Sequence, residues 1–196
     1  EWAGITDDIR GIVEDEIGTI WLGTFRNGVV KITPDYRNVT HPKSVRYYVQ
    51  KDGFKSLKNI LPFKYRDKIV CGTEKGLYTF NDSLDRFEPF SELGLKFCNG
   101  SSDVFSLQET PDGKVWICPL ENKKADVGYL QPYGKGFYNW VFAPFRRIPS
   151  MFLTAFYVEP NGVAWVGGSD GVYRYDMRVD QKNYTQAFSC LIRRII

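Results

Sequence analysis

The sequence predicts an all-β protein assembled from four copies of one unit, and three observations predict it. A Gly-x-x-Trp core recurs at Gly18 and Trp21, at Gly113 and Trp116, and at Gly162 and Trp165; in a fourth, degraded copy Asp67 and Val70 hold the two places. Equivalent positions return every 45 to 50 residues or so, roughly the period of a repeat architecture. Inside a copy the apolar period is two and turn residues come about every ten positions, which reads as strands joined by hairpins. Four antiparallel strands per unit at this period make a propeller blade.

Each strand of the unit can be placed. The first carries Ile12, Leu61, Leu107 or Phe156, and the second carries the column Trp21, Val70, Trp116 and Trp165. Turns at Gly28, Gly76, Gly128 and Gly171 start the third, which includes Tyr78 and Tyr173. A fourth, more variable strand is expected in residues 44–49, 85–90 and 137–142. Asn27-Gly28, Asp112-Gly113, Asn161-Gly162 and Asp170-Gly171 supply the positive backbone angles that tight hairpins demand. The blades then occupy about 1–50, 51–95, 96–150 and 151–182, with 183–196 as an exit strand. Because the three tryptophans recur in register, all three are expected to be buried between blades. A ring of six to eight blades would need far more chain, so the four are expected to belong to a larger propeller, with closure into a rare four-bladed ring as the alternative.

Composition narrows the function classes. A net charge of +3, from 26 basic and 23 acidic residues, is too small for a nucleic-acid surface. Cys71, Cys98, Cys118 and Cys190 lack metal-ligand spacing, and Cys118 falls in the column of Gly23, Gly72 and Gly167, where a small buried residue is expected. The only histidine, His41, lies beside Pro42 in a turn. The carboxylates Glu14 and Asp15, and Glu109 and Asp112, sit at strand ends where acids cap turns rather than act as an acid-base pair. Neither a nucleophile elbow nor a phosphate loop is present. The chain is expected to be non-catalytic, without cofactor or metal.

The stretch DDIRGIVEDEIGTIWLGTFRNGVVKI resembles the two-component regulator propeller repeat, through Ile9, Ile12, Glu14, Asp15, Gly18, Trp21, Gly23, Thr24 and Gly28. The fourth copy fits nearly as well through Gly162, Trp165, Gly167, Gly171 and Tyr175, and Asp52-Gly53-Phe54 is similar to the family's Asp-Gly-Leu link. The third copy departs, with Cys118-Pro119 in place of Gly-Thr and an insertion around residues 120–125. The resemblance covers nearly the whole chain. It implies the periplasmic sensor region of a hybrid two-component histidine kinase, followed by a tyrosine-rich β-sandwich that the tail QAFSCLIRRII would enter. It further implies a homodimeric parent, recognition of polysaccharide breakdown products and signalling to transcription.

By analogy of fold, ligands of propellers meet the turns between second and third strands and the links between blades. Those segments nominate Arg26, Asn27, Glu74, Lys75, Ser169 and Asp170, with the link aromatics Trp2, Phe54 and Phe97, as ligand-binding residues. Together they suit an acidic or hydroxylated oligosaccharide. The competing reading is a protein-interaction scaffold of the same architecture, and the sequence flanking the chain would separate the two.

Overall fold

A computed structural model describes residues 4–38, 40–121, 124–134, 136–149, 151–180 and 182–184, and they form four antiparallel sheets. The first blade is β1 (Ile9–Glu14), β2 (Ile20–Thr24), β3 (Val29–Thr33) and β4 (Ser44–Tyr48), each strand beside its neighbour in sequence. The second repeats that order with β5 (Leu61–Tyr65), β6 (Lys68–Thr73), β7 (Gly76–Asn81) and β8 (Arg86–Pro89). The third has β9 (Asp103–Glu109), β10 (Val115–Glu121), β12 (Gly128–Pro132) and β13 (Tyr138–Val141), plus β11 (Lys124–Ala125) on the end of β10, where the sequence carries its insertion. The fourth consists of β14 (Leu153–Val158), β15 (Val163–Gly168) and β16 (Gly171–Asp176), three strands rather than four among the described residues. The exit strand and Cys190 lie outside the described residues.

The turns follow their residues. Gly28, Gly113, Gly162 and Gly171 all have positive φ, between 78° and 126°. In the degraded copy the left-handed position passes to Arg66, at φ 55°. The Gly-Thr signature is a hairpin lock: the buried Thr24 hydroxyl donates to the Gly28 carbonyl at 2.9 Å and accepts from the Asn27 amide at 2.8 Å. Thr73 repeats both bonds with Gly76 and Lys75. Asp15 caps its turn as expected, accepting the amides of Ile17 and Thr19 and the indole N–H of Trp21 at 2.9 Å. Burial opposes ionisation of Asp15, but these three bonds hold its carboxyl below the usual range. Glu159 receives the Trp165 indole in the same way, at 2.7 Å. In the third blade Thr110 stands where the acid should be, and the buried Trp116 indole nitrogen has no partner among the described residues.

Blades pack in sequence order, each interface being one apolar cluster. Trp21, Tyr48 and Ile60 meet Ile69, Tyr78 and Phe87 between blades one and two. Tyr65, Val70 and Leu77 meet Val104, Leu107 and Ile117 between two and three, and Trp116, Tyr129 and Phe145 meet Val158, Ala164 and Val166 between three and four. Among the described residues no cluster joins the fourth blade to the first.

Close approach is possible because the residue two after each tryptophan position is small. A Cβ at Gly23 would stand 2.0 Å from the Ile60 carbonyl oxygen, and one at Gly72 would stand 2.2 Å from that of Val104. Cys118, also in this column, is fully buried, and Cys71 and Cys118 are free thiols inside these interfaces. Gly167 differs, since a Cβ there meets only Ala155 of its own sheet, at 3.5 Å.

Among the described residues nothing covers the forward face of the fourth blade, and this corrects one expectation. Trp21 and Trp116 are 1% and 0% exposed, whereas Trp165 is 36% exposed although it holds the same register position. Tyr157, opposite Trp165, and Val172, opposite Gly167, are exposed on the same face. The column places a tryptophan at the interface; only a following blade can bury it.

Candidate functional site

Three of the four innermost strands break their alternation at one place. β1 pairs Ile9 with Thr24 and Gly11 with Gly23, which leaves Arg10 as an extra residue. β9 leaves Phe105 between Val104 and Ser106, and β14 leaves Thr154 between Leu153 and Ala155. These are β-bulges at equivalent positions, and a bulge re-aims a side chain out of the two faces of its sheet. In β5 the register runs without a shift from Leu61 opposite Gly72.

All three bulge residues line one cavity of about 790 Å³, to which every blade contributes. Phe25 enters it from the β2–β3 turn, Glu74 from the β6–β7 turn, Asp103 from the start of β9 and Leu120 from the end of β10. The links add Asn59 on one side and Met151 and Phe152 on the other, and Leu153 joins them from the start of β14. Backbone bonds fix the first link, since the Asn59 amide donates to the Phe25 carbonyl at 2.9 Å and the Ile60 amide to that of Thr24 at 3.0 Å. A cavity of this size, largely apolar with a few convergent polar groups, has the character of a small-molecule site.

Its electrostatics are divided. On the first blade the guanidinium groups of Arg10 and Arg26 lie 4.4 and 5.1 Å from the Phe25 ring centroid, and Arg10 also pairs with Asp8 at 3.5 Å. Glu74 and Asp103 stand on the wall made by blades two and three. Glu74 accepts one bond, from the Ser56 hydroxyl at 3.3 Å, and among the described residues the Asp103 carboxylate accepts none. Burial, followed by the charge of Glu74, pushes the Asp103 carboxyl up to about 6.

That shift has a stability consequence with a definite sign. An aspartate raised in the folded state favours the protonated fold, so stability falls as pH rises from the unfolded value near about 4 through about 6. Asp103→Asn is expected to flatten that segment of the stability profile; urea midpoints at pH 4 and pH 7 check it, and identical pH dependence in both proteins would refute it.

Of the residues nominated from sequence, the structure brings Glu74 into the cavity. Arg26 sits beside it on Phe25, and Ser169 braces Phe152, its hydroxyl accepting the Phe152 amide at 3.3 Å. Asn27, whose side chain donates to Asp7, and Lys75 and Asp170 are exposed at hairpin tips away from the cavity lining. Phe54 and Phe97 need correction: they are 3% and 2% exposed, packed on Phe87 at 4.4 Å and on Trp140 at 5.4 Å, and present no surface to a ligand. A link aromatic closes the gap between blades, which is a packing role. Trp2 lies outside the described residues. Arg10, Asp103, Phe105 and Thr154 were not nominated, because a bulge on an inner strand leaves no mark beyond a lapse in alternation.

No protein-family model matches the chain, and no curated protein does. Solved structures do. The extracellular domain of BT4673 from B. thetaiotaomicron matches in two structures, described as part of a one-component and of a hybrid two-component system. The first has a TM-score of 0.53 at 15% identity over 88% of this chain and 30% of that one; the second has 0.64 at 12% over 91% and 25%. The Dos1 propeller matches with a TM-score of 0.58 at 13% identity, over 89% of this chain and 46% of that one. The chain thus spans less than half the length of each of these structures. A hybrid two-component system, as the second of these is described, is the class of protein that the repeat resembles, and at these identities what the likeness shows is the fold: four consecutive blades of a β-propeller.

Proposed function

We propose that the chain is a non-catalytic, ligand-sensing part of an extracytoplasmic propeller in a hybrid two-component sensor kinase, located in the periplasm and detecting an oligosaccharide. The observation that carries this reading is the four-blade cavity, into which bulges on β1, β9 and β14 bring Arg10, Phe105 and Thr154. Aromatic faces at Phe25, Phe105 and Phe152 suit sugar rings, while Arg10, Asn59, Glu74 and Asp103 suit hydroxyl groups. The repeat's resemblance to sensor propellers and the extracellular origin of the BT4673 structures support the same reading. In the parent protein, further blades would cover the open face of the fourth blade, and a β-sandwich and a second copy of the parent would complete the receptor.

The test is calorimetric titration of the chain with oligosaccharides from depolymerised polysaccharides, followed by product analysis. Binding of a size-limited oligosaccharide, weakened about tenfold or more (about 1.4 kcal/mol) by Arg10→Ala without loss of fold, is the expected result. Absence of binding across the panel, or turnover of any member by the purified chain, would refute the reading.

A further inference from the structure

The cavity's charges are unevenly matched. Among the described residues its charged lining is Arg10, Glu74 and Asp103, so carboxylates outnumber cations. Arg10 does not redress this, because it is already engaged by Asp8 and by the Phe25 ring on the first blade. Glu74 and Asp103 come from consecutive blades and share one wall, where the Ser56 hydroxyl donates to Glu74. Two carboxylates so placed repel each other, and a cation between them would remove the repulsion.

We infer that the cavity takes its ligand through a protonated amine paired with Glu74 and Asp103, so that the saccharide it accepts is an amino sugar whose amine is free rather than acetylated. The inference rests on the saccharide-sensing reading and sharpens it, taking the hydroxylated rather than the acidic alternative of the sequence-based expectation. An ammonium group has three N–H donors and no acceptor, which matches a pair of ionised carboxylates, acceptors alone. Charge-assisted bonds of this kind are about twice as strong as neutral ones. An N-acetyl group would bring one donor and no charge, and leave the carboxylates unmatched. A bare divalent cation fits less well: calcium takes six to eight oxygen ligands, and this wall supplies two carboxylates and the Asn59 amide. Phe25, Phe105 and Phe152 then lie around the body of the sugar.

Titration of the 196-residue chain with a glucosamine disaccharide, its N-acetylated form and an uncharged glucose disaccharide tests this. At pH 7 the free amine is expected to bind at least tenfold more tightly than either of the others. Asp103→Asn and Glu74→Gln, two near-isosteric changes checked for fold by circular dichroism, should each erase most of that preference. Lowering the pH to 5 should shrink it in the parent chain and leave it unchanged in Asp103→Asn. Equal or tighter binding of the acetylated or glucose disaccharide would overturn the inference while leaving saccharide sensing intact. Binding that appears only with added calcium and vanishes with a chelator would also overturn it. If no saccharide binds but a lysine amide does, in a manner dependent on Asp103, amine recognition stands and the saccharide reading falls.

Discussion

Gly23→Ala is expected to destabilise the chain by about 3 kcal/mol or more, and Gly72→Ala by a similar amount. The reason is not backbone freedom at the glycine but the neighbouring blade. A methyl group at residue 23 would overlap the Ile60 carbonyl at 2.0 Å, and one at residue 72 the Val104 carbonyl at 2.2 Å; in both the obstacle is backbone, which cannot rotate away. The same substitution at Gly167 meets only Ala155 at 3.5 Å and is expected to change stability by less than about 0.5 kcal/mol. Urea unfolding followed by tryptophan fluorescence separates the three. A Gly167→Ala variant as damaged as Gly23→Ala would mean that the fourth blade is covered after all.

The tryptophan column gives the second large effect, and with the same asymmetry. Trp21 is enclosed by Phe80, Tyr48 and Phe87, with ring centroids 4.7 to 6.0 Å away, and Trp116 by Tyr129 and Phe145 at 4.9 and 5.7 Å. Truncation of either to Ala is expected to cost about 3–5 kcal/mol. Trp165 keeps a bond to Glu159 and a cation contact with Arg174, yet lies on the uncovered face, and Trp165→Ala is expected to cost less than about 1 kcal/mol. Blades interact only with their neighbours, so each interior change should loosen one interface before the rest. Equal losses at positions 21 and 165 would contradict the open arrangement.

How much of this could be read from the sequence depends on how local the cause is. Blade strand positions, hairpin turns and the register of the tryptophan column follow from period-two alternation and from glycine in turns, both settled within about ten residues, and among the described residues these appear where expected. The role of Asp15 as a turn cap was legible for the same reason. The exposure of Trp165 was not, because burial there is decided by a blade and not by the residue. Phe54 and Phe97 misled through their position in the links: the sequence marks a link aromatic but does not tell which way it faces, and both face the interior. Glu74 could be found because it occupies a hairpin tip. Arg10, Phe105 and Thr154 could not, since an added residue on an inner strand looks like ordinary irregularity until its partner strand is known.

The bulges at those three residues also separate two demands that a packed repeat would otherwise impose on the same side chains. Every regular residue of an inner strand faces one neighbouring blade or the other, so changing it disturbs an interface. The bulge residues Arg10 and Thr154 belong to neither face, whereas Phe105 also packs against the cluster between blades three and four. Arg10 and Thr154 can thus be exchanged for other side chains with little effect on how the blades hold together, which makes the arc a frame whose chemical selectivity can be rewritten a few letters at a time.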